Sequence, residues 1–321
     1  MKAMILAAGY GTRLRPLTHL VPKPLFPVAN KPLVGYAVES LRAAGISELV
    51  VNLHHLPDAL EEMLADAYPE LTLHFSLEHA ILGTGGGIRR VRSILDGADD
   101  FLVVNGDTFQ SPPWDALIHA RRDRSAVAAL ALRHPPAGDR FTAVWLDDGR
   151  VTGFGDGSGE ALMFSGAHAI SPRIFERMPD EDEFGIVESV YRMLAGEGAL
   201  AGVVDDGPWF DVGTPRRYLA ANAALRGSGS LVDPTARVTG KVERSVVGAR
   251  TTVEGELDEC VVWEDCFVGP GVRLRGCIVG HGVELHEGVL LENAMVCCDD
   301  VAISRDDRYR FAGGIVIAPF D

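Results

Sequence analysis

Cysteine is scarce and confined. The five in the chain, Cys260, Cys266, Cys277, Cys297 and Cys298, fall in its last quarter. None forms a C-x-x-C pair and no histidine stands at zinc-site spacing, so a zinc site is not expected, and the thiols read as buried core groups in a reducing compartment. Long apolar runs are missing too: none approaches the ~18 residues a bilayer crossing needs, so no membrane partner is expected. The N-terminus lacks a charged-then-apolar leader, because its first apolar stretch runs straight into a glycine turn, and the expected location is cytoplasmic. Basic charge is short: Lys and Arg number 30 against 45 Asp and Glu, a net charge of −15. That balance argues against a nucleic-acid partner, which calls for a basic face. A polyanionic substrate would therefore need local help from clustered Arg and Lys or from a divalent metal.

What is present is enough for a large core. The chain has 321 residues, of which 47% are apolar, room for one large domain with an appendage or for two domains. Residues 1–225 alternate strands and helices. The strand signals are "MILAA" (4–8), "ELVVNL" (48–53), "LTLHF" (71–75) and "FLVVN" (101–105). Between the first two, Asn30 is expected to cap a helix with Pro32 in its first turn, Leu33, Ala37, Val38 and Leu41 on its inner face, and Gly45 at its end. Near-continuous apolar strands separated by helices predict an α/β fold, a Rossmann-like, mostly parallel mixed sheet flanked by helices. After residue 125 strands become denser ("AVAALAL", "FTAVWL", "LMFSGAHAI"), with helices near 171–178 and 184–195. Thr214 and Pro215 then start a last helix as N-cap and first residue. "RGSGS" (226–230) reads as a linker.

Beyond it the pattern changes. Val232, Val247 and Val262 are fifteen residues apart, as are Val238, Val253 and Val268, and paired members of the two sets are six apart. Val279, Leu285 and Leu291 keep the six-residue step, with Val283, Val289 and Met295 four residues after each. An aliphatic every six residues is the pattern of a triangular parallel β-helix, expected over 231–304 with a tail at 305–321. An ordinary β-sandwich would show turn signals every ~8–12 residues instead.

The stretch "MILAAGYGTRLRPLT" (4–18) ends an apolar run in a glycine turn and then sets Arg13 and Arg15 where a helix should begin. Gly9 and Gly11 permit positive φ and close approach to the main chain. Two cations there suit an anion. A dinucleotide fold also opens with a glycine turn, but its third glycine would stand where Leu14 is, and Arg15-Pro16 interrupts the helix. A triphosphate cradled by backbone N–H groups fits better. In "VPKPLFP", Lys23 lies between two prolines that stiffen the loop. Such a lysine is ordinarily solvated, but next to the arginine turn it suits a phosphoryl group whose charge grows during reaction. "FLVVNGDTF" brings Asp107 to the carboxyl end of a buried strand, where ligands of open α/β sheets bind and where a carboxylate suits a hard divalent cation. Asp211, in "WFDVGTP", is the second candidate for the same metal.

"LAAGYGTRLRPLT", "PKPL", "LGTGGGI", "VVNGD" and "WFDVGTP", in this order, resemble the sugar-1-phosphate nucleotidylyltransferases, and the whole layout is similar to members with a C-terminal left-handed β-helix. The resemblance implies that Leu6, Ala7, Ala8 and Gly9 line the base and ribose of an NTP. It implies that Gly11, Thr12 and Arg13 hold the triphosphate, that Lys23 contacts the α-phosphate, and that Asp107 and Asp211 hold Mg²⁺. A phosphate oxygen of a sugar 1-phosphate then attacks the α-phosphorus in line and pyrophosphate leaves. The nucleophile is already ionised, so no general base is required and positioning with charge neutralisation supplies the catalysis.

"SLEHAILGTGGGI" (76–88) resembles the base-reading loop, with Glu78 and Gly83, followed by Thr84, at the contacting positions. A carboxylate can accept two parallel hydrogen bonds from guanine and only one from uracil, so Glu78 leans toward GTP and toward the mannose-1-phosphate guanylyltransferases. "TGGGI" is more similar to uridylyltransferases acting on N-acetylmuramate 1-phosphate, so UTP stays open. "FSGAH" (164–168) resembles the sugar pocket, with Ser165 and Gly166 facing the hexose and Glu188 as a further hydroxyl partner. A regulatory subunit that binds nucleotide sugar without turnover is the third reading. Retention of Arg13, Lys23, Asp107 and Asp211 argues against it. A homo-oligomer through the β-helix is also expected.

Overall fold

The computed structural model describes residues 1–97, 100–136, 141–157, 161–300, 303 and 307–320. Two compact units divide the chain: residues 1–9 with 34–209, and residues 10–33 with 210–321. This division cuts across the expected boundary at 226–230. The phosphate-loop candidate after Gly9 falls in the unit that contains the expected β-helix.

Among the described residues, the first unit is built on a nine-stranded sheet in the order Thr72–Leu77, Glu48–Leu53, Lys2–Leu6, Phe101–Asn105, Met163–Ile170, Ala128–Arg133, Leu200–Val204, Arg150–Phe154, Val144–Asp147. The first four run parallel. Met163–Ile170 is antiparallel to both neighbours, whereas Leu200–Val204 runs parallel to Ala128–Arg133. The sheet is thus mixed and flanked by helices, as the alternation of apolar strands and helices implied. Two of its central strands have apolar, fully buried middles: Ala3, Met4 and Ile5 in one, and Leu102, Val103 and Val104 in the other. The helix Leu33–Ala43 buries Leu33, Val34, Ala37, Val38 and Leu41, the i, i+4, i+8 face, and Gly45 at φ 78° ends it. Helical structure near 184–195 is a π turn, Val187–Tyr191, that continues as the helix Arg192–Gly196.

Asn30 corrects an expectation. It is not a helix cap: with Ala29 it forms the turn of a small hairpin, Pro27–Val28 against Lys31–Pro32, and both turn residues have positive φ (50° and 63°). Two left-handed residues between antiparallel strands make the turn whose twist matches a hairpin, and Asn is favoured there. Thr214 does cap the helix Pro215–Arg226, its Oγ1 accepting from Arg217 N at 3.3 Å.

The β-helix stacks three parallel sheets. One contains Leu231–Val232, Val246–Val247, Val261–Val262, Ile278–Val279 and Ala294–Cys298; the others start at Arg237–Val238 and Lys241–Glu243. Val247, Val262, Val279 and Val296 form one inward column, Val253, Val268 and Leu285 a second, and Leu257 and Leu274 a third, all buried. The step between stacked valines lengthens after Val262, which is the drift visible in the sequence. All five cysteines are free, four of them buried in this stack. Ser230, expected in the linker, is bonded into the first coil through Val242 O and Ser245 N. In the expected tail, Arg310–Ala312 and Ile315–Pro319 form a hairpin about Gly313 and Gly314, and Ile315–Pro319 pairs antiparallel with Ala294–Cys298. It occupies the last open edge of that sheet, a standard way to blunt an unpaired strand.

Candidate active site

In the first unit, Leu6 is paired with Asn52 on one side and Asn105 on the other, so the three mark one level at the carboxyl ends of parallel strands. The chain leaves this level toward Ala7, Ala8 and Gly9. Ala7 N donates to Asn52 Oδ1 at 2.7 Å, and a side chain on Gly9 would meet nothing within 4 Å. The residues expected to line a base and ribose therefore sit at an open strand end. Gly106 N donates to Leu6 O at 2.8 Å, and a Cβ on Gly106 would come 2.8 Å from Ile5 Cγ2. Only glycine lets that turn lie so close, and it delivers Asp107 beside residues 6–7.

Glu78, the expected base reader, is held by the protein itself. It is 2% exposed, with Oε1 accepting from Asn52 Nδ2 at 2.8 Å and Oε2 from Leu82 N at 3.0 Å. Both oxygens are engaged by the protein, and a buried carboxylate is tolerated because it is so bonded. Through Asn52, Glu78 ties the loop 78–82 to Ala7.

The glycines of "TGGGI" have a packing reason. They open the helix Gly83–Arg90, and the segment 182–186 lies on them: a Cβ on Gly85 would fall 2.2 Å from the Phe184 ring, one on Gly86 2.1 Å from Asp182 O, and one on Gly87 2.9 Å from Glu78 Oε1. Phe184 O accepts from Gly85 N and Gly86 N at 3.0 and 3.3 Å, and Thr84 Oγ1 accepts from Ile186 N at 3.0 Å. The first N–H groups of this helix are thus satisfied from within the protein. Arg89 adds bonds to Pro179 O and Asp182.

Ser165 and Gly166 lie in an irregularity of the strand Met163–Ile170, whose pairing with Ala128–Arg133 shifts between Phe164 and His168. Gly166 has φ 93° and lies against the Asn105 amide. Ser165 is buried, its carbonyl accepts from Trp209 Nε1 at 3.1 Å, and its Oγ has no hydrogen-bond partner in the described structure. Glu188 is exposed on the π turn, against Gly185. Sequence reading missed the buried pair behind these residues: His168 Nδ1 is hydrogen-bonded to the Tyr191 hydroxyl. Burial lowers the His168 pKa to about 3 and raises that of Tyr191.

The second unit gathers the cations. Gly11, at φ 57°, lies against Thr18 and Lys23, and Thr18 Oγ1 donates to Gly11 O at 3.1 Å. Gly11 is thus the one glycine of the turn that needs the left-handed region. Thr12 and Arg13 are exposed on the 3-10 turn Thr12–Leu14. Lys23, by contrast, is only 7% exposed, and its Nζ lies 3.9 Å from Asp211 Oδ1. Arg217 NH1 bonds Asp211 Oδ2. A Cβ on Gly213 would meet Arg13 NH2 at 2.6 Å and Asp211 Oδ1 at 2.9 Å, which puts Arg13 beside the same carboxylate. Arg217 was not singled out in the sequence. Its signal is the helix start at Pro215, which brings a basic residue of the first turn back toward Asp211.

Asp107, in the first unit, and Asp211, in the second, each offer the hard carboxylate oxygen that a divalent cation takes. Arg217 already uses Asp211 Oδ2, which leaves Oδ1 as the oxygen to be taken, consistent with a metal that needs few protein ligands and completes its shell from phosphate and water. Among the described residues, one group of three metal-capable side chains comes together, Glu264, Asp265 and His281 on the exposed β-helix surface, where Arg250 spans both acids. No described helix is long and apolar enough to cross a membrane.

Residues 2–228 match the family described as nucleotidyl transferase. Mannose-1-phosphate guanylyltransferase catalytic subunit beta of Danio rerio is 30% identical over 342 residues, 96% of this chain and 94% of that protein. Mannose-1-phosphate guanylyltransferase 1 of Arabidopsis thaliana is 28% identical over 313 residues, 92% of this chain and 86% of that one. In fold, HddC from Yersinia pseudotuberculosis, complexed with GMP-PN, superposes with a TM-score of 0.59 at 24% identity, over 70% of this chain and 99% of its own.

Proposed function

Because this chain belongs to the nucleotidyl transferase family, we propose that it acts as a sugar-1-phosphate nucleotidylyltransferase that joins GTP and mannose 1-phosphate into GDP-mannose and pyrophosphate. The observation that carries the reading is the convergence of Lys23, Arg217 and Arg13 on Asp211. A net charge of −15 makes such a local concentration of cations the feature a polyanionic substrate requires.

In the proposed reaction an oxygen of the sugar 1-phosphate attacks the α-phosphorus of the nucleotide. The bond from that phosphorus to the bridging oxygen breaks, and pyrophosphate leaves with the electron pair. Gly11, Thr12 and Arg13 hold the triphosphate. Lys23, fixed by burial, meets the charge that grows on the α-phosphoryl oxygens, and a fixed cation stabilises the transition state without reorganising. Asp107 and Asp211 are the assigned Mg²⁺ ligands. The metal, when bound, would neutralise phosphate charge between the two anions. Ser165, Gly166 and Glu188 are assigned to the hexose, and Leu6 to Gly9 with Gly83 and Thr84 to the nucleoside.

Support for guanine and mannose comes from the names of the two curated relatives, which align with nearly the whole chain, β-helix included. The assignment does not draw on Glu78, whose two oxygens are bonded internally, or on "TGGGI", which packs under the 182–186 segment. The test is incubation with Mg²⁺ and each NTP against a panel of sugar 1-phosphates, following pyrophosphate release. Fastest release with GTP and mannose 1-phosphate is expected. Release with UTP and N-acetylmuramate 1-phosphate alone would overturn the substrate assignment, and release with no pair would overturn the activity.

A further inference from the structure

Residues 10–33 lie in the same compact unit as the β-helix, although the two are far apart in the chain. Three seats hold them there. Leu17, buried, lies against Gly280, where a Cβ would come 2.8 Å from Leu17 Cδ2. Phe26, fully buried, packs edge-on against Trp263 with ring centroids 4.8 Å apart. Asn30, at the hairpin tip, donates from Nδ2 to Val247 O at 2.9 Å. Trp263 and Gly280 follow the inward valines Val262 and Val279, and Val247 is the inward valine one coil earlier. The three seats therefore lie along one corner of the stack, one on each of three successive coils.

Between the seats runs a hydrogen-bonded relay. Trp263 Nε1 donates to the Tyr218 hydroxyl at 2.9 Å, and that hydroxyl donates to Pro27 O. One helical turn on, Asn222 Oδ1 accepts from Ala29 N at 2.8 Å. The side chains of Trp263, Tyr218 and Asn222 are buried and their polar atoms bonded, an arrangement that fixes geometry because any displacement leaves a buried donor or acceptor unpaired. Burial raises the Tyr218 pKa, so its hydroxyl remains a donor. The relay reaches both holders of Asp211. Phe26 N is bonded to Lys23 O at 3.0 Å on the loop side, and Arg217 precedes Tyr218 on the helix side.

We propose that the β-helix serves as the seat of the phosphate loop, and that Trp263, acting through Tyr218 and Phe26, is a positioning residue for Lys23 and Arg217 in nucleotidyl transfer. The inference rests on the function proposed above for those cations. It gives the β-helix a part in the reaction that stacked coils alone would not predict, since neither an inward valine column nor a self-association surface calls for a buried tryptophan at a corner between glycine-bearing coils.

The test compares full-length Tyr218→Phe, Trp263→Phe and Trp263→Ala with a control, Val268→Ala, which opens the β-helix core in a different sheet. Two readouts are taken on each: amide hydrogen exchange across residues 10–33, and pyrophosphate-release kinetics with nucleotide and sugar 1-phosphate varied separately. Tyr218→Phe and Trp263→Ala are expected to speed exchange at residues 24–30 and lower kcat/KM for the nucleotide about tenfold, with KM for the sugar 1-phosphate unchanged. Trp263→Phe, which keeps a ring for Phe26, should fall between wild type and Trp263→Ala. Val268→Ala should lower thermal stability without moving either readout. Equal exchange in 10–33 for the relay variants and the control, or a parallel rise of KM for both substrates, would overturn the proposal. If Trp263→Ala does not fold, Tyr218→Phe and Trp263→Phe decide. Should the wild type release no pyrophosphate with any pair, the function reading fails, and hydrogen exchange still decides whether the β-helix seats the loop.

Discussion

Lys23 Nζ stands 3.9 Å from Asp211 Oδ1 while Arg217 bonds Oδ2, so one carboxylate is shared by two cations, one of them nearly buried. Neutralising that carboxylate takes one counter-charge away from both cations. Asp211→Asn is therefore expected to abolish pyrophosphate release and also to lower stability by about 1–3 kcal/mol, less than a fully buried pair would lose because Arg217 and Asp211 are part-exposed. Chemical denaturation and the release assay check the two effects. An Asp211→Asn protein of normal turnover would remove this residue from the reaction.

Asp107 makes a contrasting case. It is half-buried at a strand end, and Thr108 Oγ1 lies 3.4 Å from its Oδ1. Asp107→Asn preserves shape and removes charge, so it should lose turnover by at least ~100-fold, as expected when a transition-state interaction is deleted. Raising Mg²⁺ should not restore the rate. Near-normal turnover would refute the ligand assignment.

Glu78 offers a test of reader against scaffold. Glutamine in its place keeps one acceptor oxygen and turns an amide N–H₂ toward either Asn52 Nδ2 or Leu82 N, both donors. Two donors facing each other in a buried position cost about 1–3 kcal/mol. If Glu78 holds the loop, Glu78→Gln lowers stability and slows reaction with GTP and UTP by the same factor. Selective loss with GTP would return the residue to base reading.

Much of this was visible in the sequence, for identifiable reasons. Buried parallel strands and the inward valine columns repeat with fixed periods, and periodicity is what a sequence displays directly. Asn30 misled because helix capping and left-handed turns favour the same residue, and only the partner strand Pro27–Val28 distinguishes them. Gly85–Gly87 looked like a substrate motif, yet their smallness answers to Phe184 and Asp182, a contact that no local window contains. Arg217 and the relay through Trp263 were hidden for the same reason: both depend on contacts between distant parts of the chain. The hairpin at 310–319 carries its Gly-Gly turn in plain view, but a terminal stretch without hexad spacing reads as tail.

His168 sets an expected pH dependence. It is fully buried, edge-on to Phe164 at 5.2 Å and bonded to Tyr191, and burial holds its pKa at about 3. In the unfolded chain a histidine titrates near ~6.5. Above that value both states are neutral at this position and His168 contributes no pH dependence. As pH falls below it, the unfolded chain binds a proton that the folded chain refuses, so stability declines down to about pH 3 and then levels for this group. The slope is at most ~1.4 kcal/mol per pH unit. His168→Gln keeps a polar partner for Tyr191 and removes the titration. Urea midpoints measured from pH 7.5 to 4.5 should therefore fall more steeply in the wild type than in His168→Gln, by about one proton's linkage. Parallel slopes in the two proteins would show that His168 is protonated in the folded state, and its bond to Tyr191 would then have to be that of an imidazolium.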